Sequence, residues 1–472
     1  MSGDGGYAPA RHRCTCWAGV AKFCSGAEPS NGGRRRPRVA VYENAEARLA
    51  VEYVSEGNIN MVLRYVGSSC EYRGLVLRFR KGEGRSAGLV EDSRFQRTVI
   101  TPLLGEHVTD STVVEVDSAS VKQLNDDSMV QLRRPSFRRM TSGGHLDTKT
   151  PGESNGHNFV LALMQRDLSF CPGGISFEIK LKCGVQELSE DGVSRFTLQQ
   201  LSDYGRKRDT ISTYDPVELF RGVLGARLER VREQLSRLHD VSHDATQNNL
   251  GVLGEMHVGR VTGAQLDNLA KVLVAQPGVL RRLRALDLLA AGQCEIALRA
   301  WEAIGAPNAI PVEDCERTQI EVLQSGGLIE RLEATEDDRK AIGIVRDEYA
   351  RLLNAGKHRF IVALFLLGRT LMDCSVIANV CTSSPTYDET ELTTLGYVEA
   401  DRASRLWGRL RVIDTDIKPA KKIKFYGQQL VELQDHPHSN FFLEFIRAGG
   451  SILSGLRAVE RRFARDARQT QE

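Results

Sequence analysis

Two aspartates and a run of lysines mark where this chain could do chemistry. Asp414 closes the apolar run "RLRVID" and is followed by Lys418, Lys421, Lys422 and Lys424. A carboxylate at a strand end can hold a divalent metal, and ammonium groups beside it can neutralise phosphate oxygens. Taken singly, Asp414 is an ordinary strand-terminating turn residue and the lysines a solvated face; in this order they favour a polyphosphate site. Asp373, in "LMDCSVIANV", is delivered by a long apolar helix into a turn directly before a strand. In "ISFEIKLKCG" the residues Glu178, Lys180 and Lys182 alternate, and alternation on a strand would point all three to one side. Gly57 and Asn58 sit at the turn of "SEGNINMVLRYVG"; such a turn can bring backbone N–H groups onto a phosphate or be only a hairpin. Arg78 in "LVLRFRK" is a companion cation, or the guard of an edge strand.

These residues need elements to position them. From Val51 the runs "VEYVSEGNINMVLRYVG" and "RGLVLRFRK" predict a small antiparallel sheet. Residues 106–157 are polar and loop-rich, with "RRPSFRR" inside, and then come "NFVLALMQ" and the strand of Glu178. After Gly184 the three-and-four spacing of apolar residues predicts helices over 193–205, 216–240, 265–304, most of 317–372 and 437–467. Strand-like runs at 375–380 and 409–414 interrupt them. The expected class is α/β (α+β) in two lobes, a β-rich N-lobe over 49–163 and a larger, mostly helical C-lobe over 164–472, with a cleft between them. Residues 1–48, rich in Gly, Ser, Ala and Arg and containing "GGRRRPR", are expected to be disordered. That basic cluster is a nuclear address, the end of a transit peptide, or a solvated tail.

Composition narrows the classes. The chain has 472 residues, room for about three units. A net charge of only +2 leaves no global basic field for nucleic acid, so any polyanion must meet a local cluster. Ten cysteines without a repeated CxxC spacing suggest a reducing compartment. The apolar run "FIVALFLLG" is too short to cross a bilayer. A soluble intracellular protein is expected.

The ordered set of motifs resembles one family, the inositol-pentakisphosphate 2-kinases, over most of residues 53–430. "EIKLKCG" is similar to the family's E-I-K-P-K-C-G, "YVSEGNINMVLRYVG" to its nucleotide loop, and "VITPLLGEHV" to its I-P-L-L-G segment. "YDPVELF", "QNN", "DCS" and "VIDTDIKP" also fall in family order. The resemblance implies ATP-dependent phosphorylation of inositol 1,3,4,5,6-pentakisphosphate at the 2-hydroxyl, giving inositol hexakisphosphate (phytate), with Mg²⁺.

It also implies roles. Gly57, Asn58, Ile59 and Asn60 would cover the ATP phosphates, with Arg78 in the part of a kinase β3 lysine. Met164, Gln165 and Arg166 would form the hinge beside adenine, and Glu178 and Lys180 would face the nucleotide. Lys182, Arg138, Asn248, Asn249, Lys418, Lys422 and Tyr426 would hold the inositol phosphate. Asp373 would accept or orient the proton of the attacking hydroxyl, with Lys182 beside it, and Asp414 would hold Mg²⁺. The partner implied is a small-molecule substrate, inositol pentakisphosphate, with neither nucleic acid nor membrane, for a monomer of the nucleus or cytoplasm; organellar targeting stays open. Alternatives are another inositol polyphosphate kinase, or an inactive relative that binds inositol phosphates.

There are departures. Leu181 stands in place of a proline, Gln199 and Asp203 in place of a histidine and a lysine, Gly251 in place of an arginine, and Lys422 in place of another arginine. Asp203 is expected to lie unpaired near a substrate phosphate, with Lys207 reaching back to restore the charge. Many relatives carry a zinc site in the helical lobe; here Cys294 and Cys315 stand alone in that region, so none is expected.

Overall fold

A computed structural model describes residues 38–39, 42–43, 48–49, 51–56, 60–67, 72, 74–81, 88–117, 159–169, 171, 173–182, 184–185, 193–204, 210–242, 250–253, 261–324, 327–382 and 388–469. Most of 1–48 therefore lies outside the described residues, as do Gly57, Asn58, Ile59, Arg138, Lys207, Asn248 and Asn249. The chain divides into two compact units, Met1–Leu89 with Asp110–Asp167, and Val90–Thr109 with Leu168–Glu472. The expected class holds: a strand-rich region near the N-terminus and a helical C-terminal portion.

The first unit is built on a six-stranded sheet. Its strands are β1 (Arg38–Val39), β4 (Val51–Glu56), β5 (Asn60–Tyr65), β6 (Leu75–Arg80), β7 (Ser111–Asp117) and β8 (Phe159–Arg166), in the order β1-β7-β8-β6-β5-β4; β2 (Tyr42–Glu43) and β3 (Arg48–Leu49) pair separately. All neighbours run antiparallel except β1 and β7. Strand alternation sorts the side chains. Met61, Leu63, Leu75, Leu77, Phe79, Val114, Val116, Val160, Ala162 and Met164 form one apolar core, while Leu89, Leu161 and Leu163 form a smaller one.

The second unit carries a five-stranded antiparallel sheet of β9 (Ile175–Ile179), β10 (Leu250–Leu253), β11 (Ser375–Thr382), β12 (Val398–Asp401) and β13 (Leu406–Ile413), in the order β10-β9-β11-β13-β12. Around it pack the helices, among them Arg195–Asp203, Pro216–Leu224, Leu228–Ser242, Pro277–Leu288, His358–Met372 and Lys422–Asp435. The helix His358–Met372 is apolar because it is buried along its length, from Ile361 to Met372. No helix among the described residues is long and apolar enough to cross a membrane.

Two local expectations change. The helix expected over 216–240 is two helices, because Ala226 turns left-handed at φ 50 and a pair of capping bonds, Ala226 N–H to Val223 O and Arg227 N–H to Gly222 O, closes the first one. The strand of "ISFEIKLKCG" stops at Ile179, and Lys182 lies beyond it in the left-handed region at φ 62. Lys180 and Lys182 are thus outside the alternating strand, and the one-face argument does not extend to them.

Candidate functional site

The register of the second sheet brings three chain exits to one end. Ile179 pairs with Val376 and Ser375 pairs with Ile413, so residues 180–182 leave β9, Asp373 enters β11 and Asp414 leaves β13 on the same side. Neighbouring strands are about 4.8 Å apart, close enough for charged groups on the exits to interact. Two of these exit residues, Lys182 (φ 62) and Asp414 (φ 60), have left-handed backbones without being glycine. That conformation costs an ordinary residue roughly 1–2 kcal/mol, and such strain gathers at functional sites.

The exit from β9 is held from behind. The buried Tyr214 donates its hydroxyl to the carbonyl of Leu181 at 2.8 Å. Gly184 N–H donates to Asp287 at 3.2 Å, and a side chain at Gly184 would strike the Phe220 ring, 2.5 Å from where its Cβ would be. The motifs "EIKLKCG" and "YDPVELF" therefore meet in space, the second clamping the first. Asp215, between Tyr214 and Phe220, caps the helix Pro216–Leu224 by accepting from Val217 N–H at 2.9 Å. Burial pushes its carboxyl up to about 6, against the opposing pull of that backbone bond.

Asp373 caps the C-terminus of the helix His358–Met372. Lys418 Nζ lies 3.2 Å from its carboxylate. Its side chain keeps 55% of its accessible surface, yet burial is the largest single influence on its titration. Burial pushes the carboxyl up, but Lys418, Arg369 and Lys182 together push it further down, so it lies below its ordinary value and is ionised at neutral pH.

Arg369, one helical turn before Asp373, was not among the sequence candidates. Its side chain is buried at 5% exposure, and its guanidinium stacks over the Tyr426 ring at 4.3 Å. The signal was available: Arg369 is the single charge in the apolar stretch from Phe360 to Met372, and a charge buried in such a helix requires partners. Tyr426 is itself buried, and its phenol is pushed up by burial and by Asp373 against the opposing effect of Arg369, Lys418 and Arg195.

The structure thus brings together Asp373, Lys182, Lys418 and Tyr426 from the sequence candidates and adds Arg369. Asp414, exposed, stands beside them, its carboxylate accepting from Ser375 Oγ at 3.4 Å. Lys422 is exposed on the first turn of the helix Lys422–Asp435, and Lys180 and Glu178 are half-buried on and after β9. In the first unit, Asn60 opens β5, Arg78 is buried on β6 opposite Leu163, and Met164, Gln165 and Arg166 end β8.

A profile of the inositol-pentakisphosphate 2-kinases matches residues 53–429. The chain belongs to the inositol-pentakisphosphate 2-kinase family. A curated relative, the inositol-pentakisphosphate 2-kinase of Arabidopsis thaliana, is 28% identical over 228 residues, 38% of this chain and 48% of that protein. The match spans about half the length of that relative. For a member of the family its departures have a clear physical form. Asp203 is buried at 6% exposure and accepts from Gln199 at 3.0 Å; Gln199 accepts from Gln429 at 2.9 Å, and Gln429 accepts from Arg195. Asp203 is therefore not the unpaired carboxylate that the sequence suggested, but the end of a hydrogen-bonded chain between two helices. Gly251 lies on β10 opposite Glu178.

Proposed function

We propose that this chain transfers the γ-phosphoryl group of ATP to the 2-hydroxyl of inositol 1,3,4,5,6-pentakisphosphate, giving inositol hexakisphosphate. The observation that carries the reading is the ionised Asp373 at the entry to β11, with Lys182, Lys418 and Arg369 around it and Asp414 at the neighbouring strand exit. Phosphoryl transfer asks the protein chiefly for positioning and charge neutralisation. A carboxylate held below its ordinary pKa is a weak base, so its main service is to orient the attacking hydroxyl by accepting its hydrogen bond. Lys182 and Lys418 sit where they can neutralise phosphate oxygens without leaving Asp373, and Lys422 adds an exposed cation.

Asp414 would hold Mg²⁺. Its carboxylate is exposed and of the hard oxygen type this ion accepts while keeping several waters, and the buried Ser375 hydroxyl donates to it at 3.4 Å. The charge such an ion supplies would help neutralise the ATP phosphates. The sheet of the first unit is assigned to the nucleotide, with Asn60 and Arg78 toward its phosphates and Met164, Gln165 and Arg166 beside adenine; Lys182, Lys418, Lys422 and Tyr426 of the second unit are assigned to the inositol phosphate. Arg138, Asn248 and Asn249 are assigned to its phosphates on the family resemblance alone.

The test is turnover of Mg-ATP with purified inositol pentakisphosphate, with the product position read by NMR. Asp373→Asn, which loses the charged acceptor that orients the hydroxyl, should lower kcat by about two powers of ten, with ATP affinity little changed. Asp414→Asn should weaken nucleotide binding only where the metal is present. Transfer to a different hydroxyl, or none in the intact protein, would overturn the reading.

A further inference from the structure

At the opposite end of β9 and β11 two cysteines converge. Cys171 lies in the segment before β9, and Cys381 is the penultimate residue of β11. A Cβ placed on Gly174 would be 2.8 Å from Cys171 Sγ and 2.6 Å from Cys381 Cβ, so both side chains turn into the one space this glycine leaves empty. Cys171 Sγ also lies 3.5 Å from Val380 O and 3.7 Å from the Tyr397 hydroxyl. The Arg409 guanidinium covers the Tyr397 ring at 4.7 Å. Cys171 is half-buried and Cys381 is buried.

The two thiols are not equivalent. A hydrogen bond from Cys381 lowers the Cys171 pKa, burial opposes it, and the Tyr397 hydroxyl and Arg409 add to the lowering; the net is a thiol more acidic than usual. The same thiol–thiol bond, with burial, pushes Cys381 up. Two other described cysteines differ: burial pushes Cys315 up to about 12 and Cys374 well above its ordinary value, and Cys294 is buried. Reactivity toward oxidants follows thiolate character and access, and both select Cys171.

We propose that Cys171 and Cys381 form a peroxide-oxidisable pair, in which Cys171 is attacked by oxidant first and Cys381 resolves it to an intramolecular disulfide. The Cys171 thiolate attacks one oxygen of hydrogen peroxide; an S–O bond forms, the O–O bond breaks, and hydroxide leaves to be protonated by the Cys381 thiol or by solvent. The Cys381 sulfur then attacks the sulfenic sulfur; the S–S bond forms, the S–O bond breaks, and water leaves. One peroxide is reduced to two waters as two thiols become a disulfide. The product would tie the segment before β9 to β11, at the end of those strands away from Asp373, so the proposal stands apart from the kinase reading.

The experiment treats the full-length protein with graded hydrogen peroxide, blocks remaining thiols, and digests it without reduction for mass spectrometry. The expected result is a Cys171–Cys381 linked peptide, formed before Cys294, Cys315 or Cys374 is oxidised and removed by dithiothreitol. Cys381→Ser should abolish the link and leave a sulfenic acid at Cys171 that dimedone traps. Oxidation of Cys171 straight to sulfinic acid in the wild type would overturn the proposal. So would a wild-type protein in which both thiols survive peroxide that oxidises the buried cysteines.

Discussion

Replacing Tyr214 by phenylalanine removes one oxygen, yet the structure makes it a demanding test. Tyr214 and Leu181 are each 1% exposed, so no water can replace the 2.8 Å bond to the Leu181 carbonyl. Its phenol is held neutral, burial and then Asp215 pushing its pKa well up, and it therefore serves as a donor throughout the working pH range. Leaving a buried acceptor without its donor costs about 1–3 kcal/mol. The freed carbonyl also loosens the next residue, Lys182, whose left-handed backbone costs roughly 1–2 kcal/mol to maintain. Relaxation should carry the lysine away from Asp373. Urea unfolding should show a lower midpoint with an unchanged slope, and KM for inositol pentakisphosphate should rise while KM for ATP stays nearly constant. A loss below about 0.5 kcal/mol with unchanged kinetics would refute the argument that Tyr214 positions Lys182; equal rises in both KM values would assign the damage to general loosening.

Asp215 has its folded pKa raised from 3.8 to about 6, so the folded state holds this proton more tightly than the unfolded one and its contribution to stability falls as pH rises through that window. Asp215→Asn keeps the cap and removes the titration; relative to wild type it should gain up to about 3 kcal/mol between pH 4 and 7 by unfolding experiments at each pH. Arg369→Leu removes a cation that lowers the Asp373 pKa, so the acid limb of the kcat–pH profile should move to higher pH, with Arg369→Lys restoring part of the shift. Gly184→Ala should cost about 1–3 kcal/mol through overlap with the Phe220 ring, and combining it with Phe220→Leu should recover part of that loss in a double-mutant cycle.

The candidate-site residues that could be read from the sequence were those at the ends of apolar runs. Asp373 and Asp414 were legible because a charge that closes or precedes a buried strand has no packing role to explain it. Lys182 was singled out for a reason that did not survive, since period-two alternation says nothing once the strand has ended at Ile179. The break at Ala226 was hidden because the apolar spacing continues in phase across it, and the capping bonds that end the helix involve no signature residue at the left-handed position. Residues 90–109 follow the first strands in sequence but pack in the second unit, with Phe95, Val99, Ile100 and Leu103 in its core; composition carries no information about which core an apolar helix joins. The polar chain from Arg195 to Asp203 was invisible because it depends on Gln429, more than two hundred residues away.

The end of the second sheet separates what can drift from what cannot. The spacing among residues 180–182, Asp373 and Asp414 is fixed by the ladder of β9, β11 and β13, and a one-residue slip in any of these strands would turn its side chains to the other face. Mutation can hardly adjust such a frame by degrees. Of the departures from the family pattern only the buried Leu181 lies within this frame; Gln199, Asp203 and Lys422 are on helices and Gly251 is on the edge strand β10. Residues on the surrounding helices can therefore change one at a time without shifting the ladder that spaces residues 180–182, Asp373 and Asp414.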